Sequence, residues 1–207
     1  RGARVTGLDF SAAAVALARD RVDAEFHEGD AQSLPFEDHS FDAAVCGFGL
    51  IHLPDAARGL AEMRRVVRPG GRIAVSVWEP PASGNGFGLV FGSIKAHADM
   101  TVDLPHGPDF FQFSEEAGMT DLLACAGLWE VQLTRAPQHW VFDGDHALYD
   151  ELLESSVRAR GLILAQTAEV QARIRNAVID GMGSFRTAGV YRVPMPALIG
   201  AGLKPPP

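Results

Sequence analysis

Two acidic residues follow apolar runs at positions where a carboxylate could bind a sugar. Asp9 comes directly after the short run Val5–Leu8, and Asp30 follows Gly29 about twenty residues later. In an open α/β sheet, ligands bind beyond the carboxyl ends of the strands. A carboxylate at such a strand end can accept hydrogen bonds from both ribose hydroxyls of a nucleoside. The alternative for Asp9, which the residues alone leave open, is that it caps the next helix or faces water.

A third strand end carries glycines instead of an acidic residue. The run Phe41–Cys46 is almost continuously apolar, which is typical of a parallel strand buried on both faces. It leads into Gly47, Phe48 and Gly49, and glycines at a strand end let the backbone approach a ligand closely. The pattern therefore predicts a ligand next to the backbone at this strand end.

The elements that must position these residues alternate between strand and helix, which is typical of βαβ units. Helix starts are indicated by capping residues, and helix ends by basic residues that suit the helix dipole. The predicted elements are a strand at Val5–Leu8, a helix capped by Ser11, strands at Ala24–His27 and Phe41–Cys46, a helix at Ala56–Val67 capped by Asp55, and a strand at Arg72–Val77.

The second half of the chain is richer in helix. A glycine-rich stretch at 84–88 is not a phosphate-binding loop, because such a loop must join the first strand of a sheet directly to a helix. The predicted elements are helices at Phe87–His97, from Ser114 as cap to Ala126, at Ala147–Leu164 and at Ala168–Val178, with strands at Trp129–Thr134, extended by Gln138–Phe142, and at Tyr191–Ala201. Pro194 and Pro196 restrict the last strand to an edge or to irregular pairing.

Composition excludes several classes of partner. The formal charge of -8 and a pI near 5.3 argue against a nucleic-acid groove, which needs clustered Lys and Arg. Cys46 and Cys125 lack zinc-type and CxxC spacing, so a reduced, cytoplasmic protein is expected. No apolar run is long enough to span a membrane, so no membrane partner is expected, and no His, Asp and Glu spacing predicts a metal site.

In order and spacing, three motifs resemble a class I S-adenosylmethionine-dependent methyltransferase of the small-molecule, quinone-biosynthesis-like group. They are the strand end at Asp9, the corner Gly29-Asp30-Ala31, and the turn Val67-Arg68-Pro69-Gly70-Gly71 before a strand. The resemblance implies a Rossmann-like α/β sheet with helices on both faces, mostly parallel, with an antiparallel C-terminal strand. It also implies S-adenosylmethionine as the cofactor.

The resemblance assigns a role to each candidate site residue. Asp9 would hold the ribose, Phe10 would pack on the adenine, and Asp30 with Ala31 would bind the adenine edge. Cys46, Gly47 and Phe48 would border the methionine end of the cofactor. His52 is the candidate general base, with the alternative that it is an ordinary loop histidine.

The chain departs from the family pattern at its amino terminus. In the family, the first strand ends in a glycine-rich loop against the amino-acid part of the cofactor, and that segment would precede Arg1. The first strand is therefore expected to be missing from the centre of the sheet. Either the strands that end at Asp9 and Cys46 pair directly, or the chain is a fragment of a longer one.

The expected organisation is one domain of 207 residues. Residues 1–142 would form the cofactor-binding core with a lid at 79–113, residues 143–187 a helical insertion, and residues 188–207 the last strand and tail. The expected function is methyl transfer to a small-molecule acceptor. The alternatives are a truncated or degenerate methyltransferase fold without activity, whose exposed strand edges would favour a homo-oligomer, and a nicotinamide-dependent oxidoreductase, which leaves Gly29-Asp30-Ala31 unexplained.

Overall fold

The strand that ends at Asp9 forms a small parallel sheet with the strand that follows it. In the computed structural model, which describes residues 2–82, 84–104 and 107–206, β1 (Thr6–Asp9) pairs with β2 (Glu25–Glu28). Helix α1 (Ala12–Arg21) connects them. Its N-cap is Ser11, whose Oγ accepts a hydrogen bond from the Ala14 amide at 3.3 Å, as the sequence predicts.

A second, separate sheet has four strands, in the order β3, β4, β9, β5. These strands are β3 (Phe41–Gly47), β4 (Val67–Trp78), β5 (Trp129–Ala136) and β9 (Ala197–Leu203). β3 and β4 are parallel, with Cys46 opposite Val75 and Gly47 opposite Ser76. The alternate residues Ile73, Val75 and Val77 of β4 are fully buried, so β4 carries the core of this sheet. The α/β class with a Rossmann-like methyltransferase sheet is confirmed.

The predicted burial of β3 on both faces is wrong. Val45 is 77% exposed, and most residues of β3 are exposed or half-buried. The reason is that, within the described residues, β3 pairs with β4 alone and its other edge has no strand beside it. Direct pairing between the strands that end at Asp9 and Cys46 does not occur there either, so β1 and β2 remain a separate sheet.

Helix α2 (Ala56–Val66) connects β3 to β4 and buries Leu60, Met63 and Val66. The Asp55 carboxylate caps it by accepting a hydrogen bond from the Arg58 amide at 2.9 Å. At the other end, the Lys204 ammonium donates to the carbonyl oxygens of Arg64 and Val67 at 2.7 and 2.8 Å, which satisfies carbonyls that the helix leaves open.

The chain divides into two compact units. The first comprises Arg1–Val77, Pro108–Thr134 and Ile199–Pro207, and the second comprises Trp78–Gly107 and Arg135–Leu198. The second unit contains a three-stranded antiparallel sheet and four helices within its described residues. Its elements are α3 (Gly86–His97), β6 (His139–Phe142), α5 (Ala147–Ser155), α6 (Val157–Leu164), α7 (Ala168–Met182), β7 (Arg186–Thr187) and β8 (Val190–Pro194). The predicted organisation into 1–142, 143–187 and 188–207 stays a prediction.

Two helix predictions need correction. Helix α4 (Glu116–Cys125) has Glu115 at its N-cap position, one residue after the predicted cap Ser114, whose side chain is buried. The predicted helix Ala147–Leu164 is interrupted at Ser156, which adopts an extended conformation and whose Oγ accepts from the Ala159 amide at 3.3 Å. A serine can satisfy backbone donors in place of the helix, so it ends α5 and begins α6.

Two strand predictions also need correction. Residues 139–142 do not extend β5, because they pair with β8 in the second sheet. The predicted strand Tyr191–Ala201 is two strands, β8 and β9, which belong to different sheets. The change of sheet falls at Pro194–Pro196, where proline cannot donate to a strand ladder.

Among the residues that the structure describes, every helix is too short or too polar to cross a membrane.

Candidate functional site

Asp9 is exposed at the carboxyl end of β1, and its oxygen atoms differ in the hydrogen bonds that they accept. Its Oδ1 accepts a hydrogen bond from the Ser11 amide at 2.8 Å, which closes the turn into α1. Its carbonyl oxygen accepts from the Gly29 amide at 3.0 Å. Its Oδ2 accepts no hydrogen bond from the described part of the chain. The cap of α1 is Ser11, and Asp9 closes the turn before it, which leaves Oδ2 available for a ligand.

Asp30 and Ala31 form a tight corner just beyond β2. The Asp30 Oδ1 accepts from the Gln32 amide at 2.8 Å, and its carbonyl oxygen accepts from the Ser33 amide at 2.9 Å. The Ala31 amide has no acceptor among the described residues. The corner thus presents one carboxylate with remaining acceptor capacity and one backbone donor, side by side.

The pairing of β1 with β2 brings these two strand ends together. Asp9 lies opposite Glu28 in the parallel register, and the hydrogen bond from Gly29 to Asp9 ties the corner to β1. A Cβ on Gly29 would lie 3.0 Å from Leu8 Cδ1, which explains the glycine. Phe10, which follows Asp9, is 81% exposed. We call Asp9, Phe10, Asp30 and Ala31 the nucleoside corner.

The nucleoside corner fits the nucleoside part of S-adenosylmethionine in its chemistry. A ribose offers two hydroxyl donors, and an adenine edge offers an amino donor next to a ring nitrogen acceptor. The corner offers carboxylate acceptors, one open backbone N–H and an exposed aromatic ring, which can stack on a base.

The end of β3 carries the second group of predicted residues. Phe48 has a φ of 56°, in the left-handed region that is unusual for a residue with a side chain and costs about 1–2 kcal/mol. Its amide donates to the carbonyl oxygen of Ser76 at 3.1 Å and to the Ser76 Oγ at 3.2 Å. Strained backbone of this kind clusters at functional sites.

The thiol of Cys46 faces the turn after β3. Burial raises the pKa of the Cys46 thiol, while hydrogen bonds from the backbone of Gly49 and Leu50 oppose the increase. A Cβ on Gly49 would lie 3.0 Å from the Cys46 sulfur, so the turn closes tightly over it. The raised pKa keeps the thiol protonated near neutral pH, which suits a neutral wall for a site and not a nucleophile.

His52 ends a short 3-10 helix, Leu50–His52, whose first two residues are fully buried. The imidazole is exposed, and its centroid lies 5.7 Å from that of Phe110, edge to face. Within the described residues no carboxylate orients the His52 ring. A general base of this kind is therefore held by packing alone, and its role stays a prediction.

Sequence reasoning missed the residues that hold the two groups in place. Gln32 hydrogen-bonds to Asp30, and Ser76 holds the Phe48 amide. Phe110 is remote from His52 in the sequence, so the contact between their rings is purely tertiary. The signal for Gln32 was present as a polar residue two positions after Asp30, whereas nothing in the local pattern marks Ser76. The sequence does mark Phe110 as an aromatic that could line a substrate pocket or belong to the core, but not its contact with His52.

Two clefts lie within the second unit, and neither is lined by a predicted site residue. One, of about 220 Å³, lies between the start of α3 and the end of α7. The other, of about 420 Å³, is lined about equally by polar and apolar surface and includes two charged side chains, Asp103 and Arg158. No group of His, Cys, Asp and Glu in the described part of the chain could hold a metal ion.

Comparisons with known proteins match the part of the chain that carries the site. A family model described as a methyltransferase domain matches residues 1–75. A demethylmenaquinone methyltransferase of Deinococcus radiodurans is 47% identical over 92 residues, which are 42% of this chain and 38% of that protein. One from Desulfitobacterium hafniense is 33% identical over 143 residues, which are 57% of this chain and 56% of that protein. The chain thus spans little more than half the length of these curated relatives, or less.

The fold is shared over almost the whole chain. The crystal structure of the YcgJ protein from Bacillus subtilis superposes with a TM-score of 0.59 and 18% identity, covering 99% of this chain and 83% of that one. At this identity the likeness shows the fold alone. The resemblance to class I S-adenosylmethionine-dependent methyltransferases, drawn above from three motifs, is confirmed.

Proposed function

We propose, from the premise that this chain is a relative of the class I S-adenosylmethionine-dependent methyltransferases, that it transfers a methyl group from S-adenosylmethionine to a small-molecule acceptor. The observation that carries the proposal is the nucleoside corner. It lies inside the segment that the methyltransferase family model matches, and its two strand ends lie side by side because β1 and β2 are paired in register.

Each residue of the corner has a chemical task in cofactor binding. The Oδ2 of Asp9 accepts from a ribose hydroxyl while Oδ1 remains bound to the Ser11 amide. Asp30 accepts from the adenine amino group, and the Ala31 amide donates to the ring. Phe10 packs on the base. Hydrogen bonds to charged acceptors are stronger than neutral ones, so the two carboxylates supply most of the polar affinity.

The end of β3 positions the reacting groups. S-adenosylmethionine, when bound, supplies a methyl group on a sulfonium centre. Cys46, Gly47 and Phe48 border its methionine end and exclude water from it. These residues stay in position because Ser76 fixes the strained turn at Phe48. Holding two reactants in line is enough for a large part of such a rate enhancement. His52 removes a proton where the acceptor carries one.

The acceptor belongs to the class of small, mainly apolar molecules. The relatives named demethylmenaquinone methyltransferase support this class. The larger cleft in the second unit offers apolar side chains, Phe91, Met100 and Leu162 among them, beside the polar ones, which suits a small molecule with an apolar part. The segment 79–113 and the helical insertion 143–187 select the acceptor, in a protein located in the cytoplasm.

Calorimetric titration of the full chain with S-adenosylhomocysteine tests the proposal. We expect micromolar binding, and a loss of at least tenfold in affinity, about 1.4 kcal/mol, for Asp9→Ala and for Asp30→Ala. Asp23→Ala is the matched control, because Asp23 is exposed in the same unit and forms no contact with other described side chains. NAD should compete poorly, whereas tight NAD binding would support the oxidoreductase alternative.

The absence of binding by a folded chain would favour the second candidate, a methyltransferase fold without activity. The unpaired edge of β3 in the described part of the chain is the observation in its favour. A chimera separates the two cases. If the first strand and glycine-rich loop of a relative, fused ahead of Arg1, restore binding, the nucleoside corner is competent. If the folded chimera still binds nothing, the proposal is wrong.

A further inference from the structure

Gln32 connects the nucleoside corner to the start of α2 through three polar atoms. Its Nε2 lies 3.3 Å from Oδ1 and 3.4 Å from Oδ2 of Asp30, so it spans the carboxylate. Its Oε1 accepts from the Asp55 amide at 2.8 Å. Its carbonyl oxygen accepts from the Arg58 Nε at 2.8 Å. The residue is half-buried, while the hydrogen bonds themselves lie near the surface.

The two contacts of the side-chain amide determine its orientation. A backbone N–H can only donate, so the Asp55 amide requires the oxygen of the Gln32 side chain. The NH₂ group therefore faces Asp30. The opposite orientation would place an N–H against an N–H at Asp55 and an oxygen against the Asp30 carboxylate. The amide is thus held as a donor toward Asp30.

A count of lone pairs shows which hydrogen-bond acceptor sites of the Asp30 carboxylate remain available. Each carboxylate oxygen has about two acceptor sites. Oδ1 already accepts from the Gln32 backbone amide at 2.8 Å and from Nε2, so its two sites are occupied. Oδ2 accepts only the longer contact from Nε2 among the described residues. One acceptor site, on Oδ2, remains available.

We propose that Gln32 is a positioning residue, which holds Asp30 so that the open site on Oδ2 selects a base with an exocyclic amino group. This rests on the proposed function, since it concerns how the nucleoside corner reads its base. The carboxylate can only accept hydrogen bonds. A base with an oxygen in place of the amino group would therefore place a second acceptor against the carboxylate, and the two would repel. Without Gln32 the carboxylate can rotate away from that repulsion and tolerate either base.

The same side chain extends the effect to α2. Asp55 caps α2 and lies three residues after His52, so the Gln32–Asp55 hydrogen bond links the base-reading corner to the loop of the candidate base. Leu34 and Ser33 continue the same loop, but only Gln32 contacts both Asp30 and Asp55. The Gln32 side chain therefore links Asp30 to the start of α2, next to the hydrogen bond that Arg58 of α2 donates to the Gln32 carbonyl oxygen.

Two variants separate the donor role of Gln32 from its acceptor role. Gln32→Glu keeps an oxygen for the Asp55 amide but removes the donor toward Asp30. Gln32→Leu removes both. Gln132→Leu is the matched control, since Gln132 is exposed on β5 in the same unit and without side-chain contacts among the described residues.

Base selection is the first readout. The dissociation constants of S-adenosylhomocysteine and of its deaminated analogue, S-inosylhomocysteine, are measured for each variant. We expect the unchanged chain and Gln132→Leu to prefer S-adenosylhomocysteine by about tenfold or more, since sites built for a hydrogen bond reject analogues that cannot form it. Both Gln32 variants should reduce this ratio about threefold or more, and a remainder is expected because the Ala31 amide still opposes the N–H that the deaminated ring carries. A change in folding alone would weaken both ligands equally and leave the ratio unchanged.

Hydrogen exchange of the Asp55 amide in the ligand-free chain is the second readout. It should accelerate in Gln32→Leu and stay slow in Gln32→Glu. An unaltered ratio in both Gln32 variants, with binding intact, would overturn this inference and leave the proposed function standing. Equal exchange in all three chains would overturn the anchoring. Failure of the unchanged chain and of the chimera to bind S-adenosylhomocysteine would instead overturn the proposed function, and base selection with it.

Discussion

At the scale of single residues, the carboxylates of the candidate site each combine a structural and a chemical role. One oxygen of Asp9 closes the turn into α1, and one oxygen of Asp30 closes the turn at Gln32. In the described chain, the second oxygen of each carboxylate accepts no short hydrogen bond. A strand-end Asp therefore fixes the local backbone and keeps an acceptor for a ligand.

Asp9→Asn should separate these two roles. Asn keeps an oxygen for the Ser11 amide and caps helices about as well as Asp, so stability should change by less than about 0.5 kcal/mol. Its NH₂ group cannot accept from a ribose hydroxyl, so the affinity for S-adenosylhomocysteine should fall about tenfold or more. Thermal denaturation and calorimetric titration measure the two effects. Unchanged affinity would remove Asp9 from the binding site and leave it as a cap.

His52→Gln tests the candidate base in the same way. Gln retains a polar side chain at an exposed position, so cofactor affinity and stability should stay unchanged. If the acceptor loses a proton to His52, the turnover rate should fall by about 10²–10⁴-fold, with KM little altered. The measurement is the rate of methyl transfer to a reduced, short-chain demethylmenaquinol as the probe acceptor, since the reduced ring is the nucleophile and carries a proton to lose. An unaltered rate would show that no base at this position is needed.

The sequence allowed the residue types of the site to be predicted but not their supports. Asp9, Asp30 and the glycines near Cys46 follow strand ends, and strand ends can be found from apolar runs. The left-handed conformation of Phe48 and its two bonds to Ser76 depend on the register of β3 with β4. Register is set by tertiary packing, so no local pattern contains it.

At the scale of elements, a loop is held on α2 by a half-buried ion pair, that of Arg65 with Glu62. The Arg65 guanidinium donates to the carbonyl oxygens of Leu34 and Phe36 and to the carboxylates of Glu62 and Asp38, all at 2.7–2.9 Å. The Glu62 Oε2 also accepts from the Leu34 amide at 2.8 Å. This loop leads from the nucleoside corner to β3, so the pair connects the two groups of site residues.

Glu62→Gln should destabilise the chain in a pH-dependent manner. The hydrogen bond from Arg65 is the main cause that lowers the pKa of Glu62 in the folded chain. The stabilisation is therefore present above the unfolded pKa, about 4.3, and is lost as the pH falls through the lower folded value. Denaturant unfolding at pH 7 should show a loss of about 1–3 kcal/mol, because Arg65 and the Leu34 amide lose their partner.

The difference between the unchanged chain and Glu62→Gln should begin to shrink below about pH 4.3 and should be smallest below the lower folded pKa of Glu62, where both side chains are neutral. Glu37→Gln is the control on the same loop, since the Glu37 side chain is exposed and contacts no other described side chain. A difference that is constant with pH would mean that shape, and not the charge of Glu62, supports the loop.

Local rules predicted the caps of α1 and α2 correctly, because Ser11 and Asp55 bind amides only three residues away. They failed at Ser114 and Ser156. Whether a serine begins a helix, interrupts one or is buried depends on what packs around it, and the three outcomes share one local signature. The strand at residues 139–142 failed for a related reason, since its partner β8 lies about fifty residues later.

At the scale of the whole molecule, the central feature is the separation of β1 and β2 from the larger sheet. The sequence predicted a missing strand between the Asp9 and Cys46 strands, and in the described chain β3 indeed has an unpaired edge. The continuous apolar run of β3 wrongly predicted burial. An apolar run shows that a strand is suited to burial, but the burial itself requires another element that packs against the strand.

An unpaired edge next to exposed apolar side chains predicts self-association. Edge strands offer backbone donors and acceptors to any second strand, and a Lys on the edge strand discourages such pairing. Val45→Lys on β3 should therefore reduce the association of the chain. Leu17→Lys, at a position 50% exposed on α1, removes a comparable apolar surface without touching a strand edge and should reduce it much less.

Sedimentation velocity over a range of protein concentrations measures the effect. The average mass of the unchanged chain should rise with concentration, and Val45→Lys should remain closest to a monomer of 22.1 kDa. Because Val45 is already exposed, this substitution should cost less than about 0.5 kcal/mol of stability. Equal effects of both lysines would indicate general apolar contact instead of strand pairing, and a monomer at every concentration would mean that the edge of β3 is protected in solution.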